Sequence, residues 1–331
     1  MKKKITVLDP TIREVGCLID WQFSLEQAQA IARDMEAAGV PWIEMGHIFG
    51  LGTEGMRHTQ NEYITAINEV LTTSQVSTFG FTGVTTKEHI KTAQAVGLKL
   101  LRLGFIGFEG PHRLELAKEL IEYSNEINMD LALNVIMSHR FTQKDLERML
   151  AEVKHFKLHS IYIVDSTGSM LPADVRKLVT YLVKHTDLPI GFHGHEQLRH
   201  AVANSIVAVE AGATWVDGTL LGAGRTPGNA QIEVLAAILS KLGYETGCDW
   251  GKIADAGEKH LQPLFKDQIG IKKKEITLAY YGQIGFVEAL VRQYADNLNV
   301  SYVAILEELD RRNIHFVTED HIKEIAEGLQ K

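Results

Sequence analysis

The sequence predicts a (β/α)8 TIM barrel followed by a small helical C-terminal domain. Eight short apolar runs, each followed by a segment of helical periodicity, fill roughly the first 240 residues. Polar side chains follow several of these runs, as expected where the strand ends of a barrel share one mouth. Beyond about residue 250 helical periodicity continues without a clear strand. We therefore predict a catalytic barrel over 1–262 and a helical domain over 263–331, a candidate partner-docking region.

The predicted elements follow from apolar runs and from local capping signals. The eight strands are Ile5–Leu8, Trp42–Met45, Val76–Phe81, Leu98–Phe105, Leu131–Met137, Ser160–Val164, Leu188–Phe192 and Thr214–Asp217. Ser24 and Gln27 form a capping box at the start of the first long helix, and Gly39 is expected to end it. A doubly wound sheet would also alternate strands and helices, but eight units of similar length favour the barrel.

Composition places the chain among ordinary globular proteins and excludes several functions. Hydrophobic residues make up 45% and charged residues 23% of its 331 positions. The net charge of -8 argues against a nucleic-acid or anionic-membrane binder. Cys17 and Cys248 are far apart, which gives no disulfide framework and indicates a reducing compartment. We find neither a signal peptide nor a membrane-length apolar run, and we predict a cytoplasmic protein.

His193 and His195 are the strongest candidates for a chemical role. They lie two residues apart at the end of the seventh predicted strand, so both imidazoles point to one face. An isolated His-x-His is more often a structural pair than a metal site. A barrel, however, brings Arg13 and Glu14 from the first strand end close to them. Glu14, His193 and His195 could then hold a divalent metal such as Mn²⁺, Mg²⁺, Fe²⁺ or Zn²⁺.

Such a metal would retain open positions for a substrate and would suit a 2-oxo acid. It could bind the acid and stabilise the enolate that forms when the adjacent carbon loses a bond or a proton. Arg13 could stabilise the same charge, although a surface ion pair with Glu14 is the alternative. Ser166 could donate to the substrate, with Asp165 ordering a metal ligand or Arg13, unless both belong to a plain turn. His47 is either a gating group or a loop histidine.

Several motifs together carry a family resemblance. The segment Asp9–Glu14 is similar to an opening Asp-x-Thr-Leu-Arg-Asp motif. Further similar segments are Ile43–Leu51, Arg57–Ile64, Met137–His139, Tyr162–Gly168, Val202–Glu210 and Gly228–Ala230. Over nearly its whole length the chain resembles the metal-dependent aldolase and lyase superfamily on TIM barrels, which is hydroxymethylglutaryl-CoA lyase-like. Within that superfamily it looks most like the 4-hydroxy-2-oxovalerate aldolases.

The resemblance implies roles for particular residues. It implies that Glu14, His193 and His195 hold the metal, with Mn²⁺ as the first expectation and Mg²⁺, Co²⁺ or Zn²⁺ as alternatives. It also implies that Arg13 stabilises a pyruvate enolate and that Ser166 and His193 contact the substrate. The substrates would be a small 2-oxo acid and an aldehyde. The helical tail resembles a domain that docks an acylating aldehyde dehydrogenase, and a homo-oligomer is expected.

The chain departs from the family pattern beside the site. Glu14 stands where the family has Asp, and Cys17 stands where the aldolases have the His of their general base. Ile284 is expected to align with a tail Tyr that assists them, although Tyr280 and Tyr281 are nearby. Glu196 follows the paired histidines in place of His or Asn. The base is therefore unassigned, with Cys17, Glu196 and His47 as the candidates.

These observations lead to one main hypothesis and two alternatives. The main hypothesis is a metal-dependent aldolase or carbon–carbon lyase that acts on a 2-oxo acid through a pyruvate enolate. A Claisen-type acyl-CoA condensing enzyme, isopropylmalate synthase-like, is the first alternative, and the compact tail argues against it. A non-catalytic partner-binding homologue is the second alternative, which the loss of the usual base motivates.

Overall fold

Eight parallel strands close into a barrel in which each strand pairs with its neighbours in chain order and β8 pairs with β1. The computed structural model describes residues 3–225, 227–265, 277–278, 281–314 and 316–330. The strands are β1 Thr6–Asp9, β2 Trp42–Met45, β3 Gln75–Phe81, β4 Leu100–Phe105, β5 Asp130–Val135, β6 Ser160–Asp165, β7 Ile190–Gly194 and β8 Trp215–Asp217. The predicted fold class is confirmed.

Helices cover the outside of the barrel and form the C-terminal region. In the described residues they are α1 Thr11–Gly16, α2 Leu25–Ala37, α3 Gln60–Asn68, α4 Lys87–Ala95, α5 Leu114–Glu126, α6 Gln143–Val153, α7 Pro172–His185, α8 Ala201–Glu210, α9 Ile232–Lys241, α10 Trp250–His260, α11 Glu288–Leu298, α12 Tyr302–Arg311 and α13 Glu319–Leu329. None of these helices is long and apolar enough to cross a bilayer.

Two helix starts differ from the sequence prediction. The sequence predicts a polar cluster at residues 11–14 after the first strand, and in the structure these residues form the start of α1, with Pro10 as the N-cap. The fixed φ of proline suits a helix start. The helical period after β7 predicts a start near Gln197, but α8 begins at Ala201, whose amide donates to the Glu196 carboxylate at 2.7 Å. That bond satisfies a free amide of the first turn.

The predicted limits of α2 are confirmed in detail. The Ser24 hydroxyl accepts from the Gln27 amide, and the Gln27 side chain accepts from the Ser24 amide at 2.8 Å. Gly39 follows the helix at φ +82, in the left-handed region that favours glycine. A Cβ at this position would lie 2.2 Å from the carbonyl oxygen of Gly247, so the close approach of the two segments also requires glycine.

A charged network fills the barrel beneath its mouth. Arg102 on β4 has no solvent exposure, and its Nη1 lies 2.9 Å from Glu44 Oε2 on β2. Its Nη2 lies 2.5 Å from Asp217 Oδ2 on β8. The guanidinium also packs over the Tyr162 ring at 4.2 Å. Since Glu44 and Asp217 both contact residues of the mouth, this arginine fixes the floor of the site.

Replacing Arg102 with Met is expected to lower the free energy of unfolding by about 3–5 kcal/mol, because two carboxylates would remain buried without their cation. Urea unfolding followed by circular dichroism measures the change. Arg148 lies on the surface with a 60% exposed side chain, and Arg148→Met should cost less than about 1 kcal/mol. Equal losses in the two variants would contradict a structural role for the network.

The C-terminal region has its own hydrophobic cluster and contacts the barrel. Val291, Ile305 and Ile322 from α11, α12 and α13 are fully buried in this cluster. Arg140, on the barrel, donates from Nη2 to the Gly282 carbonyl at 3.0 Å and from Nη1 to the Ile314 carbonyl. The domain boundary at 262 stays a prediction. The sequence also predicts a polar connection over 266–275, and all of it lies outside the described residues.

Candidate active site

The three predicted metal ligands meet at the mouth of the barrel. Glu14 lies on α1 just after β1, His193 on β7 and His195 just beyond it, and all three are buried. One potential ligand atom from each lies within 4.8 Å of the others. Glu14 Oε1 and His193 Nε2 are 3.7 Å apart. Glu14 is 179 positions from His193 in the sequence, and closure of the barrel brings it to the two histidines.

The protonation states of these groups suit a cation. Burial alone would raise the pKa of Glu14, but the Arg13 guanidinium, the largest opposing influence, holds the pKa well below its usual range. Burial and then Arg225 lower the pKa of His195, which keeps that imidazole neutral. A charged carboxylate and a neutral imidazole are the forms that bind metals. Glu14 Oε2 is buried without a hydrogen-bond partner, as expected of an atom that serves a bound cation.

Two hydrogen bonds orient the imidazoles. His193 Nδ1 lies 2.8 Å from Asp217 Oδ2, and because a carboxylate only accepts, Nδ1 donates and Nε2 faces Glu14. His195 Nδ1 donates to the Gly228 carbonyl at 3.3 Å. Such outer bonds fix the tautomer and ring direction of metal-binding histidines. Sequence reasoning missed the role of Asp217, whose signal was an acidic residue at the end of an apolar strand.

Arg13 is held rigidly beside the carboxylate. Its Nη1 lies 2.6 Å from Glu14 Oε1, and its Nε donates to Glu44 Oε1 at 2.5 Å. The guanidinium carbon lies 5.3 Å from the centre of the Phe79 ring. With 6% of Arg13 and 1% of Glu14 exposed, the alternative of a surface ion pair is wrong. The arginine presents a fixed positive charge to the cavity at the barrel mouth.

Ser166 lines the same cavity, and Asp165 does not act on the ligands through its side chain. The Ser166 hydroxyl accepts from the Met137 amide at 2.9 Å, which leaves its proton free to donate. Asp165 accepts from the amides of Ser169 and Met170, each at 3.1 Å. The carboxylate therefore holds the turn after β6, so the plain-turn explanation applies to Asp165.

The glycine-rich turn after β8 brings a second arginine to the site. Arg225 Nη2 donates to the Ser166 carbonyl at 2.9 Å and lies 3.4 Å from His195 Nε2. A Cβ on Gly224 would lie 2.2 Å from Asn229 Nδ2 and 3.1 Å from the Glu14 Cβ, so glycine allows the turn to pack on Glu14. Sequence analysis did not identify Arg225 as a residue of the site.

A cavity of about 480 Å³ opens above these residues. Its floor includes Arg13, Glu14, Ser166 and the two histidines. Its walls come from the barrel and from the C-terminal region, which contributes Ile284 and Phe286 among others. Ile284, the position expected to align with the tail Tyr, therefore faces the cavity with an aliphatic side chain.

The three candidates for the base each have another role. The Cys17 thiol donates to the Glu14 carbonyl at 2.8 Å, and burial followed by the Glu14 charge raises its pKa to about 12. Glu196 holds the α8 N-terminus. His47 stacks on Trp21 at 3.7 Å, and its Nδ1 accepts from the Phe49 amide at 3.1 Å. Burial lowers its pKa to about 4. Cys17 as the base stays a prediction that these contacts disfavour.

Replacing Cys17 with Ser is expected to leave turnover within about threefold of the unaltered protein, because a thiol with a pKa of about 12 is not a proton acceptor near neutrality. The pH dependence of kcat should also keep its shape. Steady-state rates of aldol cleavage between pH 6 and about 9 provide the measurement. A loss of more than about 100-fold, with metal still bound, would restore Cys17 as the base.

A closed barrel with a buried Glu-His-His donor set and an arginine at its mouth is typical of metal-dependent TIM-barrel enzymes. A family model described as HMGL-like matches residues 4–259. A 4-hydroxy-2-oxovalerate aldolase of Carboxydothermus hydrogenoformans is 32% identical over an alignment 336 residues long, which covers 100% of this chain and 99% of the relative. 4-Hydroxy-2-oxovalerate aldolase 3 of Burkholderia lata is 34% identical, with 99% and 95% covered.

The chain belongs to the HMGL-like family. Among solved structures, HMG-CoA lyase of Bacillus subtilis shares the fold with a TM-score of 0.68, at 16% identity and with 83% of this chain and 98% of that chain covered. The resemblance drawn from the motifs is thus confirmed, as is the prediction of an aldolase-type carbon–carbon lyase. The relatives favour the aldolase over the acyl-CoA condensing enzyme.

Proposed function

We propose that the protein is a divalent-metal-dependent aldolase that cleaves a 4-hydroxy-2-oxo acid into pyruvate and an aldehyde. The observation that carries this proposal is the convergence of Glu14, His193 and His195 directly beside the buried Arg13. Its relatives named as 4-hydroxy-2-oxovalerate aldolases support the same reaction class.

Glu14, His193 and His195 would hold the metal, which would polarise the 2-oxo group of the substrate. When the bond between carbons 3 and 4 breaks, its electron pair becomes the enolate of pyruvate. The Arg13 guanidinium stabilises the negative charge that develops there, in a buried site where charge interactions are strong. The proton of the 4-hydroxyl passes to solvent in the cavity, the aldehyde is released, and carbon 3 of the enolate takes a proton from solvent, so the reaction has no net change in protons.

Ser166 and His193 would position the oxo acid. The Ser166 hydroxyl already accepts from the Met137 amide, so its proton is available to an oxygen of the substrate. Arg225, bound to the Ser166 carbonyl, limits the movement of that loop. These fixed groups reduce the entropy that the substrate must lose before reaction.

We infer Mn²⁺ as the metal, with Mg²⁺, Co²⁺ and Zn²⁺ as alternatives. A carboxylate with two imidazoles is a mixed donor set that suits Mn²⁺ better than Mg²⁺, which prefers oxygen ligands. Titration of the metal-free protein with each ion, followed by kcat and the dissociation constant, ranks them. Tighter binding of Co²⁺ or Zn²⁺ is expected of any such site, so turnover decides, and highest turnover with an ion other than Mn²⁺ would contradict this choice.

The proposed chemistry can be tested without knowledge of the aldehyde. With Mn²⁺ the protein should exchange the methyl protons of pyruvate for deuterium in deuterated water, which proton NMR detects as loss of the methyl signal. A chelator should stop the exchange, and added Mn²⁺ should restore it. No exchange with any of the four metals would contradict an enolate-forming aldolase.

We further propose a cytoplasmic homo-oligomer whose C-terminal region docks an acylating aldehyde dehydrogenase. The free thiols of Cys17 and Cys248 support the compartment, and the family resemblance of the tail supports the partner. Light scattering gives the oligomeric state. Retention of such a dehydrogenase on the immobilised full-length protein, with aldehyde passed on before it equilibrates with solvent, would support the docking.

A further inference from the structure

The cavity above the metal site points to the substrate class. We propose that the aldehyde half of the substrate carries a large apolar group, either a chain of about six carbons or an aromatic ring, rather than a single methyl. This inference rests on the proposed aldolase function and deepens it.

The first argument is size. The cavity of about 480 Å³ lies within the range of about 300–1,000 Å³ that is typical of pockets for drug-sized ligands. A five-carbon hydroxy-oxo acid is much smaller than such a ligand and would leave part of the cavity unfilled. The remaining space would hold water against apolar walls, which is unfavourable, so a larger substrate is the better match.

The second argument is an aromatic wall that leads away from Arg13. Phe79 lies 5.3 Å from the Arg13 guanidinium carbon, and Phe81 lies 5.9 Å from Phe79, ring centre to ring centre. His112 stacks on Phe81 at 4.0 Å, and Phe316 of the C-terminal region lies 5.6 Å from His112. Arg13 and the four rings all line the cavity, so the wall is continuous from the reacting end to its far end.

The imidazole in this wall behaves as an uncharged ring. His112 Nδ1 donates to the Thr82 carbonyl at 2.5 Å, which fixes the tautomer. Burial also lowers the pKa of His112 below its usual value. A neutral ring between two phenylalanines is a surface for apolar contact and stacking, and it offers no counter-ion to a second carboxylate.

A second wall begins at Arg225. The Phe286 ring lies 5.3 Å from the Arg225 guanidinium carbon, and Phe49 lies 5.0 Å from Phe286. Val84 from the barrel and Val317 from the C-terminal region also face the cavity. Both arginines are held at the polar end, Arg13 by its carboxylates and Arg225 by the Ser166 carbonyl. The charged end therefore suits the oxo acid and the two walls suit an apolar group.

The reaction balances for any such group. In the direction of synthesis, carbon 3 of the pyruvate enolate forms a bond to the carbonyl carbon of the aldehyde. The aldehyde oxygen takes a proton and becomes the 4-hydroxyl, while the apolar group stays unchanged. Its burial against the walls stabilises the bound state without taking part in the chemistry.

The test compares ethanal, hexanal and phenylacetaldehyde as partners of pyruvate, with the full-length Mn²⁺ protein. We expect kcat/KM for hexanal and phenylacetaldehyde to exceed that for ethanal at least about 30-fold, since each buried methylene contributes up to about fourfold. Pyruvate methyl exchange is measured in parallel. A kcat/KM that is flat or falls with size, while exchange proceeds, would overturn the substrate class but not the aldolase. Absence of exchange would overturn both.

Variants of the walls provide a second readout. Val317→Phe, and independently Val84→Phe on the barrel side, should each lower the ratio of hexanal to ethanal kcat/KM at least about tenfold, because the added ring occupies the space of the chain. The matched control is Val303→Phe, at an exposed position on α12 that does not line the cavity, and it should leave the ratio and the exchange rate unchanged. An unchanged ratio in both wall variants would contradict the proposal.

Discussion

Replacing His193 with Ala is expected to remove the bound metal and with it the aldolase activity. The variant keeps Glu14 and His195, but two protein ligands bind a divalent ion with much lower affinity than three. Loss of an outer partner of a metal-binding histidine alone costs roughly 10–100-fold in affinity. We therefore expect the loss of the ligand to weaken binding at least about 100-fold and to abolish measurable turnover. Metal analysis after gel filtration and titration with Mn²⁺ monitored by paramagnetic resonance give the affinity.

His155→Ala is the matched control, because His155 is an exposed histidine outside the site. It should retain one metal per chain and full turnover. Circular dichroism of both variants separates lost metal from lost fold. An unchanged affinity in His193→Ala would contradict the assigned ligand set, and retained metal without turnover would point to His193 as a substrate contact alone.

The barrel and the ligand set could be predicted because both follow from the regular spacing of residues along the chain. Eight apolar runs of strand length with intervening helices define the closed barrel. A spacing of two on a strand places His193 and His195 on one face, and barrel closure brings Glu14 to them. These inferences need only chain order and strand geometry.

Other parts of the site depend on which side chains meet across the barrel. Arg102 is a single charge within an apolar strand, and no local sequence pattern predicts that it will form ion pairs with Glu44 and Asp217. Likewise, Phe316 reaches His112 only because the C-terminal region docks on the barrel. Such contacts are set by tertiary packing, so the sequence predicted neither the buried network nor the apolar cavity.

The proton acceptor illustrates a different limit. Cys17, Glu196 and His47 are suitable types of residue near the site in sequence, but hydrogen bonds and burial decide whether each can act. The Cys17 thiol is directed to a carbonyl and stays protonated. Residue type and proximity along the chain are therefore not enough to identify the base among these three residues.

Replacing Arg13 with Lys is expected to lower kcat for aldol cleavage about 100- to 1,000-fold, the range for loss of a charge-stabilising donor. Lysine keeps the positive charge but not the planar fork that contacts Glu14 and Glu44 together. The rate of pyruvate methyl exchange should fall by a similar factor, because the same enolate forms in both reactions. The metal content should remain near one per chain.

Arg13→Met removes the positive charge that Arg13→Lys keeps. The pH dependence of metal binding in the two variants therefore separates the effect of the charge from the effect of the guanidinium geometry. Burial raises the pKa of Glu14 and Arg13 is the largest influence that lowers it, so removal of Arg13 moves that pKa upward. Protons then compete with the metal for Glu14 at a higher pH than before. As pH falls from neutrality, the Met variant should lose metal first, the Lys variant later and the unaltered protein last. If all three lose metal at the same pH, Arg13 does not set the charge of Glu14, and its effect on kcat would have to come from contact with the substrate alone.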